Sequence, residues 1–191
     1  VKIVPVKIVP VKRFFCLFAL LAAACAPPAT PHAETTGTPV AEAAGEVAPI
    51  GLTPAAGATL LRLQAAAAAN DAAALVAIAA ENPEFAFSFG DEPDFAAYLA
   101  AEQAAGRDRI APLAAILAMP FVVTDEGDGQ MFAWPYFYAL EASAYTPEAR
   151  ADAEAIVGAE AAAAISEDLG YLGPRTAIDQ NGRWSFYLTG D

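Results

Sequence analysis

"TAIDQNGRWSFYLTGD" (176–191) decides the fold class, because two runs of alternating apolar residues flank Asn181-Gly182. That dipeptide favours the positive-φ geometry of a two-residue β-hairpin turn, and a period of two marks the runs as half-buried strands. The chain therefore closes in an antiparallel ladder. Strand period places Trp184, Phe186 and Leu188 toward a core, and Arg183, Ser185, Tyr187 and Thr189 toward solvent.

Further back, "PFVVTDEGDGQMFAWPYFYAL" (120–140) reads as a second hairpin, two apolar runs joined by an acidic, glycine-containing loop. The loop Asp125-Glu126-Gly127-Asp128-Gly129 superficially matches a calcium site. An EF-hand needs a glutamate at its twelfth position, and counting from Asp125 that position is Tyr136, so a solvated turn is expected and no metal. At strand period, Phe132, Trp134, Tyr136 and Tyr138 share one face, with Met131, Ala133, Pro135 and Phe137 on the other. Two readings follow. Either one aromatic row is buried against helices and the other is half covered, or Trp134, Tyr136 and Tyr138 line a cleft for an apolar or sugar ligand. Pro135, having no amide donor, suits an edge or a bulge.

The other segments change period. Residues 57–82 are alanine-rich with leucines at helical spacing and are punctuated by Asn70-Asp71, where Asp71 can cap a second arm: a helical hairpin. "PEFAFSFGD" (83–91) switches to a period of two, with Phe85, Phe87 and Phe89 on one face, and reads as a strand. Asp91, Glu92 and Asp94 precede a helix carrying the stripe Phe95, Tyr98 and Leu99, so capping of free amides explains this trio better than acid/base or metal chemistry. Residues 107–119 form a short buried helix, with Pro112 tolerated only in its first turn. Thr146-Pro147 opens a further helix that Gly158 interrupts and Gly170 is placed to end. The order is helix, helix, strand, helix, helix, hairpin, helix, hairpin. It predicts an α+β fold, with a mainly antiparallel sheet of about four or five strands packed with helices grouped on one side.

Residues 57–91, a helical hairpin punctuated by Asn-Asp and followed by "FAFSFGD", resemble the opening of nuclear transport factor 2-like (SnoaL-like) domains. The resemblance implies a cone-shaped α+β fold with an aromatic-lined cavity. The helices at 94–118 depart from that pattern, and the Asp/His pair implied by the family lacks its histidine, because the only one is His32. Beyond residue 32 there is no cysteine, histidine or lysine at all, which removes the common nucleophiles, zinc ligands and the phosphate-binding lysine of nucleotide loops. No cofactor and no catalytic residue is expected. Carboxylate pairs can hydrolyse glycosides, but no spacing here brings a particular pair together.

The N-terminal region carries an address. After the repeat VKIVPVKIVPVK, where Val1 or Val11 serves as the start, come Lys12 and Arg13, an apolar run from Phe14, and small residues before Cys25. This is the grammar of a secretory signal, and its apolar stretch is shorter than the ~20 residues a spanning helix needs. Leu21-Ala22-Ala23-Ala24-Cys25 resembles the bacterial lipobox, departing from it at Ala22, where that family more often has leucine; an ordinary cleavage site beside an incidental Cys25 is the other reading. The resemblance implies lipidation of Cys25 by acyl chains such as palmitate, and multiple chains anchor stably. Cys16 would leave with the signal, so no disulfide is expected. The expected divisions are 1–24, leader and signal; 25–52, lipidated cysteine and Pro/Ala/Thr-rich flexible tether; and 53–191, a single globular domain. Ala26, rather than an aspartate, after the cysteine favours the outer membrane, with the domain on the periplasmic side.

Four of the ten basic residues precede Cys25, leaving six scattered arginines against 23 acids, so nucleic acid is excluded as a partner. The expectation is a lipid-anchored cell-envelope protein with a non-catalytic binding or scaffold domain whose partner is an envelope protein or a glycan. The alternative is a small cone-shaped enzyme or ligand-binding protein with an aromatic-lined pocket.

Overall fold

The computed structural model describes residues 51–88, 92–125, 129–166 and 170–190; Cys25, Phe89, Asp91 and the centre of the acidic loop lie outside them. Thr53 caps α1 (Pro54–Ala68) by accepting the Ala56 amide, and Pro54 occupies the first turn, where no donor is needed. Asp71 caps α2 (Ala72–Ala79) in the same way, accepting from Ala74. The short strand β1 (Ala86–Phe87) leads to α3 (Phe95–Ala104), where Asp94 accepts the Ala97 amide at 2.8 Å. The Asp108 carboxylate accepts the Ile110 and Ala111 amides at the start of α4 (Ile110–Leu117). The hairpin β2 (Val122–Asp125) and β3 (Gln130–Trp134) follows, then two 3-10 turns at Tyr136–Ala139 and Ala142–Ala144. Thr146 caps α5 (Pro147–Val157), Gly158 at φ 84° separates it from α6 (Ala159–Ala163), and β4 (Arg175–Asp179) with β5 (Trp184–Leu188) ends the fold.

The sheet order is β1-β5-β4-β3-β2. Three of its pairings are antiparallel, while β1 runs parallel to β5, so the α+β class stands with a mixed sheet. The parallel pair arises because β1 and β5 are joined by nearly the whole domain rather than by a turn. One face of the sheet, with Phe132, Trp134, Ile178, Trp184 and Tyr187, packs against α1 to α4 through Leu60, Leu63, Leu75, Leu113 and Ile116. Each such fully buried large side chain contributes about 1.5–3 kcal/mol. A smaller cluster forms around Phe137, Tyr145, Ala149, Ala153, Ile165 and Tyr171, and draws on α5.

Three expectations need correction. The last hairpin turns through three residues, Gln180 to Gly182, rather than two: Gly182 donates to the Asp179 carbonyl, Asp179 and Arg183 pair next, and only Gly182 has positive φ, 84°. The Asp179 carboxylate selects this turn by accepting both the Asn181 and Arg183 amides. Second, Trp184 pairs with Ile178 but Phe186 pairs with Ala177, which leaves Ser185 as the extra residue of a β-bulge. The bulge inverts the facing of every residue after it. Tyr187 and Thr189 are buried, while Phe186 and Leu188 are only half-buried. Third, the α5–α6 segment ends at Ala163, short of Gly170, because Ile165 leaves the helix for the cluster with Phe137 and Tyr171.

Candidate functional site

The aromatic row expected at Trp134, Tyr136 and Tyr138 is broken at Pro135. Strand β3 ends at Trp134, the Trp134–Pro135 peptide is cis, and Tyr136 and Tyr138 lie on a 3-10 turn whose period is three rather than two. Trp134 is 1% exposed and packs in the main core, 5.5 Å from the ring of Phe121. Tyr136 and Tyr138 instead pack against the smaller cluster. The Tyr136 hydroxyl donates to Asp152 at 2.9 Å; burial, and then this bond, push the phenol up to about 12. Tyr138 stands edge-on to Phe186, 6.4 Å between centroids. Fold position divides the three rings between two clusters, so they do not form one wall.

Two polar assemblies replace that row. The first surrounds Glu102, which continues the helical stripe of Phe95, Tyr98 and Leu99 and is 7% exposed. Its carboxylate accepts from Arg107 and Arg109, with 2.7 Å to the Arg107 Nε. The Arg107 hydrogen bonds, with those of Arg109 adding to them against the cost of burial, hold it down at about 2. The Arg109 carbonyl accepts from Tyr187, and on the preceding turn of α3 the Tyr98 hydroxyl shares a hydrogen bond with Thr189 at 2.6 Å. Thr189 is in turn bonded to Ser88 at 3.0 Å. These bonds tie α3, the α3–α4 connection, β1 and β5 together. Each carboxylate oxygen of Glu102 already has a cationic donor.

The second assembly is a cleft of about 370 Å³ lined by the start of β3, the last hairpin turn and the connection from α2 to β1. Gln130 and Met131 come from β3, Asp179, Gln180, Asn181 and Arg183 from the last turn, and Glu84 from the connection. Asp179 is committed to Arg183, at 3.1 Å to Nε, and to the turn amides. Gln180 is committed as well: its Oε1 accepts from the Gln130 amide, and its carbonyl accepts from the Thr53 hydroxyl at 2.8 Å. Beside it the Thr59 hydroxyl donates to the Gly182 carbonyl at 2.6 Å, which presses the turn onto α1.

The signals for these assemblies differ. Glu102 was legible as a carboxylate in an apolar helical stripe five and seven residues before two arginines. The cleft residues carried only turn signals, because three separate connections build the cleft and no spacing links them.

No family model, curated protein or solved structure matches this chain. No helix among the described residues is long and apolar enough to cross a membrane.

Proposed function

We propose that the chain is a lipid-anchored protein of the cell envelope, held at the periplasmic side of the outer membrane by an acylated Cys25, with a folded domain that binds a partner and does no chemistry. The observation that carries this reading is the ordered run of Lys12-Arg13, apolar residues from Phe14, three alanines and Cys25. For the domain, the support is the state of its buried carboxylate in the helical stripe: both oxygens of Glu102 already accept from the guanidiniums of Arg107 and Arg109, which leaves neither open toward a substrate. The cone-shaped enzyme reading drew its support from an aromatic wall at Trp134, and that ring is packed in the core.

Mass spectrometry of the N-terminal peptide from the membrane fraction tests the anchor. Diacylglycerol and N-acyl groups are expected on Cys25, and Cys25→Ser should release the protein into the soluble fraction. Wild-type protein that is soluble with a free, unmodified N-terminus overturns the reading.

A further inference from the structure

We propose that Asn181-Gly182 is a site of covalent self-modification, the loss of ammonia from the Asn181 carboxamide, and that the contact of the last turn with α1 controls it. A glycine has no side chain to shield its nitrogen, so in an open chain that nitrogen reaches the carboxamide carbon of the residue before it. The Gly182 nitrogen bonds to Asn181 Cγ as the Cγ–Nδ2 bond breaks, and the proton of the Gly182 amide leaves with Nδ2 as ammonia. Water then opens the five-membered imide at either carbonyl, leaving aspartate or isoaspartate at position 181 and one more negative charge. The only co-reactant is water, and Asn181 is exposed to it.

The fold holds the reacting nitrogen back. Three successive amides donate to Asp179, those of Asn181 and Arg183 to its carboxylate and that of Gly182 to its carbonyl at 3.0 Å. Attack requires the Gly182 amide to give up that bond and its proton, and the peptide to swing toward the side chain, to a near-attack distance of ~3–3.5 Å. The far side of Gly182 opposes that swing. Its carbonyl accepts from Thr59 at 2.6 Å, and its Cα lies so close to α1 that an added Cβ would stand 2.7 Å from the Ala55 carbonyl oxygen. Thr53 fixes the neighbouring Gln180 carbonyl at the same helix end, at 2.8 Å. Reaction therefore proceeds from the fraction of molecules in which the turn has lifted off α1, and its rate follows that population. The isoaspartate product carries an extra backbone methylene where the chain already touches Ala55, so the modified turn no longer closes on α1.

The full chain, incubated in mildly alkaline buffer and digested with trypsin at intervals, tests this, because cleavage after Arg175 and Arg183 isolates the site in one peptide. Mass spectrometry reads the acid that replaces the amide, and an isoaspartate methyltransferase assay reads the isomer. Unfolding the wild type in urea should raise the rate about thirtyfold, the factor for an opening held by two net hydrogen bonds. Thr59→Val should raise the rate in the folded protein about fivefold, the effect of one such bond, and Thr59→Ser, which keeps the hydroxyl, should restore it. In urea all three should react alike. Tyr187→Phe, weakened by a comparable amount away from the turn, should keep the wild-type rate. Equal rates for folded and unfolded wild type, or Thr59→Val at the wild-type rate, overturn the control by α1. Acceleration by Tyr187→Phe equal to that by Thr59→Val would make the opening global and overturn it as well. A peptide that stays unmodified even in urea overturns the site itself.

Discussion

The Glu102 assembly and the hairpin cleft use the same kinds of side chain, carboxylates, arginines and hydroxyls or amides, and arrive at opposite states. Around Glu102 the polar groups meet partners within the protein: Arg107 and Arg109 meet the carboxylate, Tyr187 meets the Arg109 carbonyl, and Tyr98 meets Thr189. In the cleft only the frame is satisfied, while Glu84, Gln130 and Asn181 reach into solvent. Burial explains the difference. A carboxylate 7% exposed must be paired to exist charged, whereas exposed amides lose nothing by facing water. A polar group closed on itself holds elements together, and one left open on a fixed frame stays in water.

The sharpest way to break this contrast is at Gly182, which the frame of the cleft depends on. A Cβ there would sit 2.7 Å from the Ala55 carbonyl oxygen at a φ of 84°. Gly182→Ala is expected to cost about 3 kcal/mol, combining left-handed strain with overpacking against backbone, read as a fall in the urea midpoint. A midpoint that stays put would mean that the turn lifts off α1 freely, and the cleft would then have no rigid frame.

Next in size is the removal of the carboxylate from the closed assembly. Glu102→Ala should destabilise by about 2 kcal/mol, less than the loss of a wholly buried pair, because the Arg107 side chain is half exposed. The same site gives a pH signature. The folded-state value of about 2 lies below the ordinary 4.5, so the Glu102 contribution is fully present above pH 4.5 and is lost as pH falls toward 2. Equilibrium unfolding of Glu102→Gln should show a shallower loss of stability in that window; identical acid curves would place the carboxylate in water.

The smallest effect tests the hydroxyl at the edge of the closed assembly. Tyr187→Phe keeps the ring and removes its bond to the Arg109 carbonyl, and a loss of about 1 kcal/mol is expected by thermal melting. Burial raises the Tyr187 phenol well above its ordinary value, so wild-type absorbance at 295 nm should show this tyrosine ionising only as the protein unfolds in alkali. Ionisation at the ordinary phenol value in the folded protein would contradict its burial.

Much of the fold was legible. Asp71, Asp94 and Thr146 precede apolar helical stripes and cap them, and the element order follows from where the period changes between 3.6 and 2; the first helix begins at Pro54, three residues before the expected start, because Thr53 caps it. The site was far less so. Trp134, Tyr136 and Tyr138 obey a strand period on paper, yet the backbone abandons that period at Pro135. Cleft residues such as Glu84 and Asn181 are nearly a hundred positions apart and meet only through the sheet order.

"TAIDQNGRWSFYLTGD" holds both outcomes in one stretch. By itself the sequence determined that a hairpin turns there, because Asp179, Asn181 and Gly182 act on the backbone within a few residues of themselves. Only the tertiary structure decided which side chains the second strand buries. An alternating pattern admits either face after a one-residue bulge, and the choice went to the register that stacks Trp184 with Tyr187 and lets the Tyr187 hydroxyl reach Arg109, contacts made with parts of the chain the pattern does not contain.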